Sequence, residues 1–450
     1  MWTVFTSLYP TRRLYAVGGV LALAFIVAHW IPVVSWIAWG GMVVAAAALA
    51  ADGALHAFNP KGMTIDRKVA GRFSNGDPNA VTIHLGNRYV FAVQVTCIDE
   101  PPVAFQVRDA VFKEAMPSAS TRTIQYDLRP TERGRYAFGC VNAYVRTPLG
   151  LVARRYQSAK GPTVKVYPSF VQMRRIGLLA TTNRLEEAGV KRVRRRGHST
   201  SFDHVRPYVL GDDYRHVNWT ATARRAELMV NEYEEERGQP LYCAINTGRV
   251  MELPFDGMTL LDHSINATLA LANVAMQKHD RVSVVPFDTH PAAAVPLGRG
   301  PGHLMRLQEA LYHLETGFPE ADYRRLAVFT ERHLTRRGVL LLFTNVESRA
   351  SLQRHLSVFK SIQRRHTLLV VLFENPVLRE AARDETAATT AWRTSTQVED
   401  VYVRTVAERF AHEKHEMVRT LRRHGIKSVL TPPEHLTVEA LNAYLAVKRG

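Results

Sequence analysis

The stretch VLLLFTNVESRASLQRHLSVFKSIQRRHTLLVVLF, residues 339–373, decides the fold. Val339-Leu340-Leu341-Leu342-Phe343 and Thr367-Leu368-Leu369-Val370-Val371-Leu372-Phe373 are continuous apolar runs of strand length. Between them, Ala350 to Arg365 places apolar residues at helical spacing among bases. A strand that is apolar at every position has both faces covered, and covering both faces of a parallel sheet is what crossover helices do.

The same alternation extends in both directions. Leu241-Tyr242-Cys243-Ala244-Ile245 is another apolar strand, followed by a helical pattern from Leu260 to Gln277 and by Arg281-Val282-Ser283-Val284-Val285-Pro286-Phe287. Helices are expected at Gly302–Glu315, from about Val398 to His424 and at Leu436–Lys448, with a strand at Lys427-Ser428-Val429-Leu430. Residues 239–450 therefore predict a doubly wound α/β domain.

Upstream the period changes to two. Short alternating runs such as Val81–Leu85, Phe91–Val95, Thr123–Leu128 and Thr163–Tyr167, separated by Gly, Pro and Asn, predict a small antiparallel β-sandwich over residues 61–170. Earlier still, Leu14–Trp30 and Ile31–Ala51 are uncharged apolar runs broken near Pro32, which predicts a transmembrane helical hairpin within residues 1–60. Arg12 and Arg13 precede the hairpin and Lys61, Arg67 and Lys68 follow it, so both ends and the domains beyond are expected on the cytoplasmic side of the membrane.

The chain has 450 residues, a formal net charge of +17 and three cysteines. That charge favours anionic neighbours, lipid head groups among them, and the cysteine count excludes a disulfide framework. Cys97, Cys140 and Cys243 sit in apolar contexts and are expected to be inert. Among the histidines there is no His-Glu-x-x-His, and Gly298-Arg299-Gly300-Pro301-Gly302 lacks the Lys-Ser/Thr of a phosphate loop.

Residues 171–238 combine a basic connector with a stretch of another character. The run Lys191-Arg192-Val193-Arg194-Arg195-Arg196 is read as a solvated segment, with a tether to anionic lipid head groups as the alternative; nucleic acid ranks lower for want of aromatic interleaving or a reading module. Phe202 to Arg237 then interleaves Arg206, Arg215, Arg224 and Arg225 with Asp212, Asp213 and Glu232, among Tyr208, Tyr214, Trp219 and Tyr233. Guanidinium groups both pair with carboxylates and stack on rings, so the stretch is read as an internal clamp, with a docking surface for an acidic or phosphate-bearing partner as the alternative. A rival from another class is a hydrolase using Asp212 or Asp213 as acid or base.

The order Arg206, Tyr208, Gly211-Asp212, Arg215, Trp219, Ala223-Arg224 resembles the signature of the bacterial domain of unknown function 58 family. Arg133-Gly134-Arg135-Tyr136, Thr147-Pro148-Leu149-Gly150-Leu151 and Val166-Tyr167-Pro168 are similar to further landmarks of that family, each read on its own as a turn or strand entry set by Gly or Pro. Pro207, Leu210 and Thr220 depart from its usual residues. The resemblance implies a protein anchored in the bacterial cytoplasmic membrane, ending in a von Willebrand factor A-like domain and working with a MoxR-type AAA+ ATPase.

Such a domain, where it holds a metal, carries Asp-x-Ser-x-Ser after its first strand. This chain has Asn246, Gly248 and Val250 there, and Thr344-Asn345 where another Asp is usual, with Thr259 and Asp262 left to offer oxygens. Mg²⁺ needs anionic oxygen ligands to repay its dehydration, so no metal or cofactor is expected. The expectation is a membrane-anchored interaction or assembly protein that is not an enzyme, with a degenerate metal site.

Overall fold

The computed structural model describes residues 7–59, 61–107, 109–181, 201–209, 212–234, 238–291, 295–376, 378–379 and 397–448. The basic run 191–196 and Gly211 lie outside the described residues. The chain divides into two compact units, Met1–Tyr167 and Pro168–Gly450.

In the first unit two apolar helices, α1 (Arg12–Trp30) and α2 (Pro32–Ala57), meet at Ile31; each is long and apolar enough to cross a membrane, with no residue of α1 buried and only Ala38, Asp52 and His56 of α2. Pro32 stands at the first position of α2, where its missing N–H costs no hydrogen bond. The strands are β1 (Leu8–Pro10), β2 (Met63–Val69), β3 (Arg72–Ser74), β4 (Asn79–Asn87), β5 (Val93–Asp99), β6 (Val111–Met116), β7 (Thr121–Leu128), β8 (Gly134–Ala137), β9 (Val141–Arg146), β10 (Val152–Gln157) and β11 (Thr163–Tyr167). They form a five-stranded sheet β1-β10-β9-β5-β6 and two three-stranded sheets, β2-β4-β7 and β3-β11-β8. Alternation along β4 and β5 buries Val81, Ile83, Leu85, Val93, Val95 and Cys97. Two differences from the sequence reading stand out. The residues before the hairpin supply β1, which pairs with β10, and β11 pairs with β3 in parallel, so the sheets of this unit are not wholly antiparallel.

In the second unit α3 (Phe170–Thr181) replaces the expected start of a connector, its Met173 and Ile176 buried against the α/β core. A separate ribbon follows, made of β12 (Ser201–Pro207) and β13 (Met229–Glu234) with the short α4 (Trp219–Arg225) between them. Then come β14 (Pro240–Asn246), the two-residue strands β15 (Pro254–Phe255) and β16 (Met258–Thr259), α5 (Leu260–Gln277), β17 (Arg281–Phe287), β18 (Val295–Gly298), α6 (Pro301–Tyr312), α7 (Tyr323–His333), β19 (Val339–Phe343), α8 (Arg349–Arg365), β20 (Thr367–Phe373), α9 (Gln397–Arg423), β21 (Lys427–Thr431) and α10 (Leu436–Val447).

The main sheet has the order β18-β17-β14-β19-β20-β21 and is parallel except for β18, which runs antiparallel to β17. Alternate residues face opposite layers. Leu241, Cys243 and Leu341 pack with Ile265, Leu307 and Tyr444 of α5, α6 and α10. Tyr242, Leu340 and Val370 pack with Leu326, Phe359 and Leu421 of α7, α8 and α9. Burial on both sides accounts for the unbroken apolar runs. Within this sheet, burial pushes the Cys243 thiol up to about 12; in the first unit, burial followed by the nearby Asp99 does the same to Cys97, while Cys140 is only partly buried. From β14 the chain builds outward to β17 and β18, then returns to β19 on the other flank. The carboxyl ends of β14 and β19 therefore flank the point where winding reverses, where open α/β sheets place their crevice.

Candidate functional site

At that reversal point the side chains are bonded to one another. Asn246 Nδ2 donates to Thr344 Oγ1 at 2.9 Å, Asn246 Oδ1 accepts from the Gly248 N–H at 2.8 Å, and Thr344 Oγ1 lies 2.6 Å from the Tyr323 hydroxyl. Asn246 and Thr344 are fully buried. Burial pushes the Tyr323 phenol up to about 12, although its bonds to Thr344 and Asn246 oppose the shift. Next to it, Asn345 Oδ1 accepts from Lys414 Nζ of α9 at 2.6 Å, and the same ammonium donates to the Val346 carbonyl at 2.7 Å. Burial lowers Lys414 to about 8, against the pull of Glu347 and Glu413.

Gly248 is tightly approached: a Cβ there would lie 2.8 Å from the Pro319 carbonyl oxygen and 3.2 Å from the Ala321 nitrogen. The segment that covers it is pinned by the Gly317 N–H, which donates to the Thr247 carbonyl at 2.7 Å. Val250 sits in a single 3-10 turn, Arg249–Met251, and packs on the apolar core. Thr259 caps α5, accepting from the Asp262 N–H at 3.1 Å and donating to Asp262 Oδ2 at 2.8 Å. Among the described residues no group of three or more His, Cys, Asp or Glu is placed to hold a metal ion.

The ribbon differs in exposure. Arg206 donates through both terminal nitrogens to Asp212, at 2.7 and 2.8 Å, and Asp212 Oδ2 also accepts from the Val209 N–H at 2.9 Å. The pair is partly open, with side chains 31% and 20% exposed. Tyr208 is half-buried, and its backbone N–H donates to Leu228 O at 2.8 Å, extending the ribbon. Asp213 accepts from the Arg215 N–H at 3.0 Å. Asn218 caps α4 through the Ala221 N–H at 3.0 Å, which projects the next residue, Trp219, outward. Trp219 is 71% and Tyr214 73% exposed, and Arg215, Arg224 and Arg225 are exposed as well. The Arg215 guanidinium lies 5.9 Å from the centre of the Tyr214 ring.

Of the signature residues, then, the fold joins Arg206 to Asp212 and leaves Arg215, Trp219 and Arg224 at the surface; Gly211 lies outside the described residues. Sequence reasoning missed Tyr323 and Lys414. Neither carries a local signal, because each reaches the strand ends only through packing of α7 and α9.

Several known proteins are similar in part. The "Uncharacterized protein YeaD" of Bacillus subtilis (strain 168) is 29% identical over 126 residues, 28% of this chain and 31% of the relative, so the chain spans less than a third of that protein's length. Among solved structures, the conserved hypothetical protein BatB from Bacteroides thetaiotaomicron aligns at 10% identity over 31% of this chain and 69% of its own, with a TM-score of 0.26. Proximal thread matrix protein 1 from the mussel byssus aligns at 9% identity over 46% of this chain and 47% of its own, with a TM-score of 0.28. The family model described as "Protein of unknown function DUF58" matches residues 204–381, the span that holds both the Arg206–Asp212 ribbon and the strand ends at Asn246 and Asn345.

Proposed function

We propose that this chain is a membrane-anchored interaction or assembly protein and not a catalyst, with a von Willebrand factor A-like α/β unit whose metal site has been replaced by internal bonds. The observation that carries this reading is a contrast in exposure. At the strand ends, Asn246, Thr344 and Asn345 are bonded to Gly248, Tyr323 and Lys414. On the ribbon, Tyr214, Arg215, Trp219 and Arg224 face solvent. Exposed Trp, Tyr and Arg in one small area is the composition of an interface hot spot. A neutral amide and an ammonium at the strand ends are a poor ligand set for Mg²⁺, which binds through carboxylates and water.

On this reading the hairpin of α1 and α2 spans the cytoplasmic membrane with both soluble parts on the basic, cytoplasmic side. The partner is a MoxR-type AAA+ ATPase, as the family resemblance implies, gripping the ribbon. The hydrolase alternative gains no support from Asp212, since both its oxygens are taken by Arg206.

Affinity purification of the full chain from detergent-solubilised membranes tests this. Wild type is expected to recover the ATPase, and a double variant, Arg215→Ala with Trp219→Ala, to lose it while staying folded. Recovery of no ATPase, with or without nucleotide, would remove the partner; equal recovery by the variant would remove the ribbon as its seat.

A further inference from the structure

The turn Thr147-Pro148-Leu149-Gly150-Leu151, read from sequence as a turn without chemistry, is bonded to both apolar helices. At the start of α1, the Thr11 N–H donates to Leu151 O at 3.1 Å, Thr11 Oγ1 donates to Gly150 O at 2.6 Å, and Arg13 donates to Leu149 O at 3.3 Å. Near the end of α2, the Asp52 carboxylate accepts from Thr147 Oγ1 and from the N–H groups of Leu151 and Val152, each of the latter at 2.8 Å. Gly150 is needed for this course of the backbone: its φ is +63°, and a Cβ would lie 3.1 Å from Arg13 Nη1.

Asp52 fixes the depth of the turn. It is fully buried, although it belongs to a helix whose preceding surface is apolar and open. A carboxylate held by three protein donors belongs outside the hydrocarbon, so the lipid-covered part of α2 ends before it. Pro32 to Ala51 then measures about 30 Å at ~1.5 Å per residue, the thickness of a bilayer core. The turn lies at that boundary, level with Thr11 and Arg13 on α1. What it leaves uncovered is Pro148 and Leu149, the latter 43% exposed; Arg13, which donates to Leu149 O, is exposed, as are its chain neighbour Arg12 and Arg146, the residue before Thr147.

We infer that this turn is a membrane-surface contact: Leu149 enters the interface and these arginines bind the phosphates of anionic lipid head groups, seating the β-sheets against the bilayer. Guanidinium groups suit phosphate, and an apolar residue accompanied by bases suits the boundary between acyl chains and head groups. The inference rests on the hairpin spanning the membrane, as proposed above.

Nitroxide labels in the full chain, reconstituted in nanodiscs of phosphatidylcholine with or without phosphatidylglycerol, test it. Labels are placed singly at Leu149→Cys, at Val20→Cys in α1 and at Val103→Cys, a residue 94% exposed in a β-sheet loop, in a Cys140→Ser background. Collision with oxygen and with a water-soluble nickel chelate reads the depth of each. Val20 is expected in the hydrocarbon, Val103 in water, and Leu149 at the interface and deeper when phosphatidylglycerol is present. Arg12→Gln with Arg146→Gln is expected to abolish the phosphatidylglycerol-dependent part only. A Leu149 label as aqueous as Val103, with Val20 in lipid, would overturn the contact and leave the anchor standing; Val20 in water would overturn both. A Leu149 label at the interface that ignores lipid charge would remove the head-group phosphates from the inference.

Discussion

Lys414 Nζ lies 2.6 Å from Asn345 Oδ1, so a side chain from α9 brings an ammonium to the carboxyl end of β19. Burial holds this lysine at about 8. An unfolded lysine titrates near ~10.4. Between those values the unfolded chain binds the proton and the folded chain does not, so this group's contribution to stability rises as the pH rises through the window. Below pH ~8 both states are charged and the burial penalty is felt in full. The melting temperature of wild type relative to Lys414→Met should therefore improve from pH 8 to pH 10. A difference that stays flat would show that the ammonium is not desolvated.

The same ammonium bears on metal. Mg²⁺ or Mn²⁺ is expected to leave the melting temperature of wild type unchanged, since any ligand held by the folded state alone raises it. A rise that saturates with metal would place a cation at the strand ends and undo the binding-platform reading.

On the ribbon, Arg206 and Asp212 should be coupled. Exposed pairs are worth about 0.2–1 kcal/mol, and a bidentate, partly covered pair belongs near the top of that range. A double-mutant cycle of Arg206→Ala and Asp212→Ala, followed by denaturant unfolding, should return a coupling of about 1 kcal/mol. Trp219→Ala, which removes no buried contact, should shift stability by no more than about 0.5 kcal/mol. A large loss there would mean that the indole is structural and not free for a partner.

Gly248 offers a steric test. Its φ of −74° suits any residue, so the demand for glycine comes from the backbone of Pro319 and Ala321 above it. Gly248→Ala should cost about 1–3 kcal/mol, the usual range for overpacking. Thermal melts check this, and a neutral substitution would show that the covering segment yields freely.

How legible all this was depends on where the information resides. β14, β19 and β20 can be read directly because all their residues but Pro240 and Thr367 are buried, and α5 because its apolar positions keep helical spacing from Leu260 to Gln277. α7 and α3 carry no such signal: Tyr323–His333 is mostly polar and buries only Tyr323, Leu326 and Thr330, and Phe170–Thr181 is too short and mixed to stand out from the connector after it. β1 is three residues long, too short for any period to show. At the strand ends the residue types at Asn246 and Asn345 were visible, but their partners were not. Lys414 lies 69 positions from Asn345, and nothing local in α9 says which of its bases will turn toward the sheet.

One feature at the margin of the main sheet limits how copies of this chain can meet. β18 is four residues long, runs against its neighbour and carries Pro296 on an exposed position. A proline has no amide hydrogen to offer an incoming strand, and short borders of this kind discourage fibre-like growth. Self-association by extending the main sheet across β18 is thereby disfavoured, which leaves β21 as the border of that sheet open to an incoming strand.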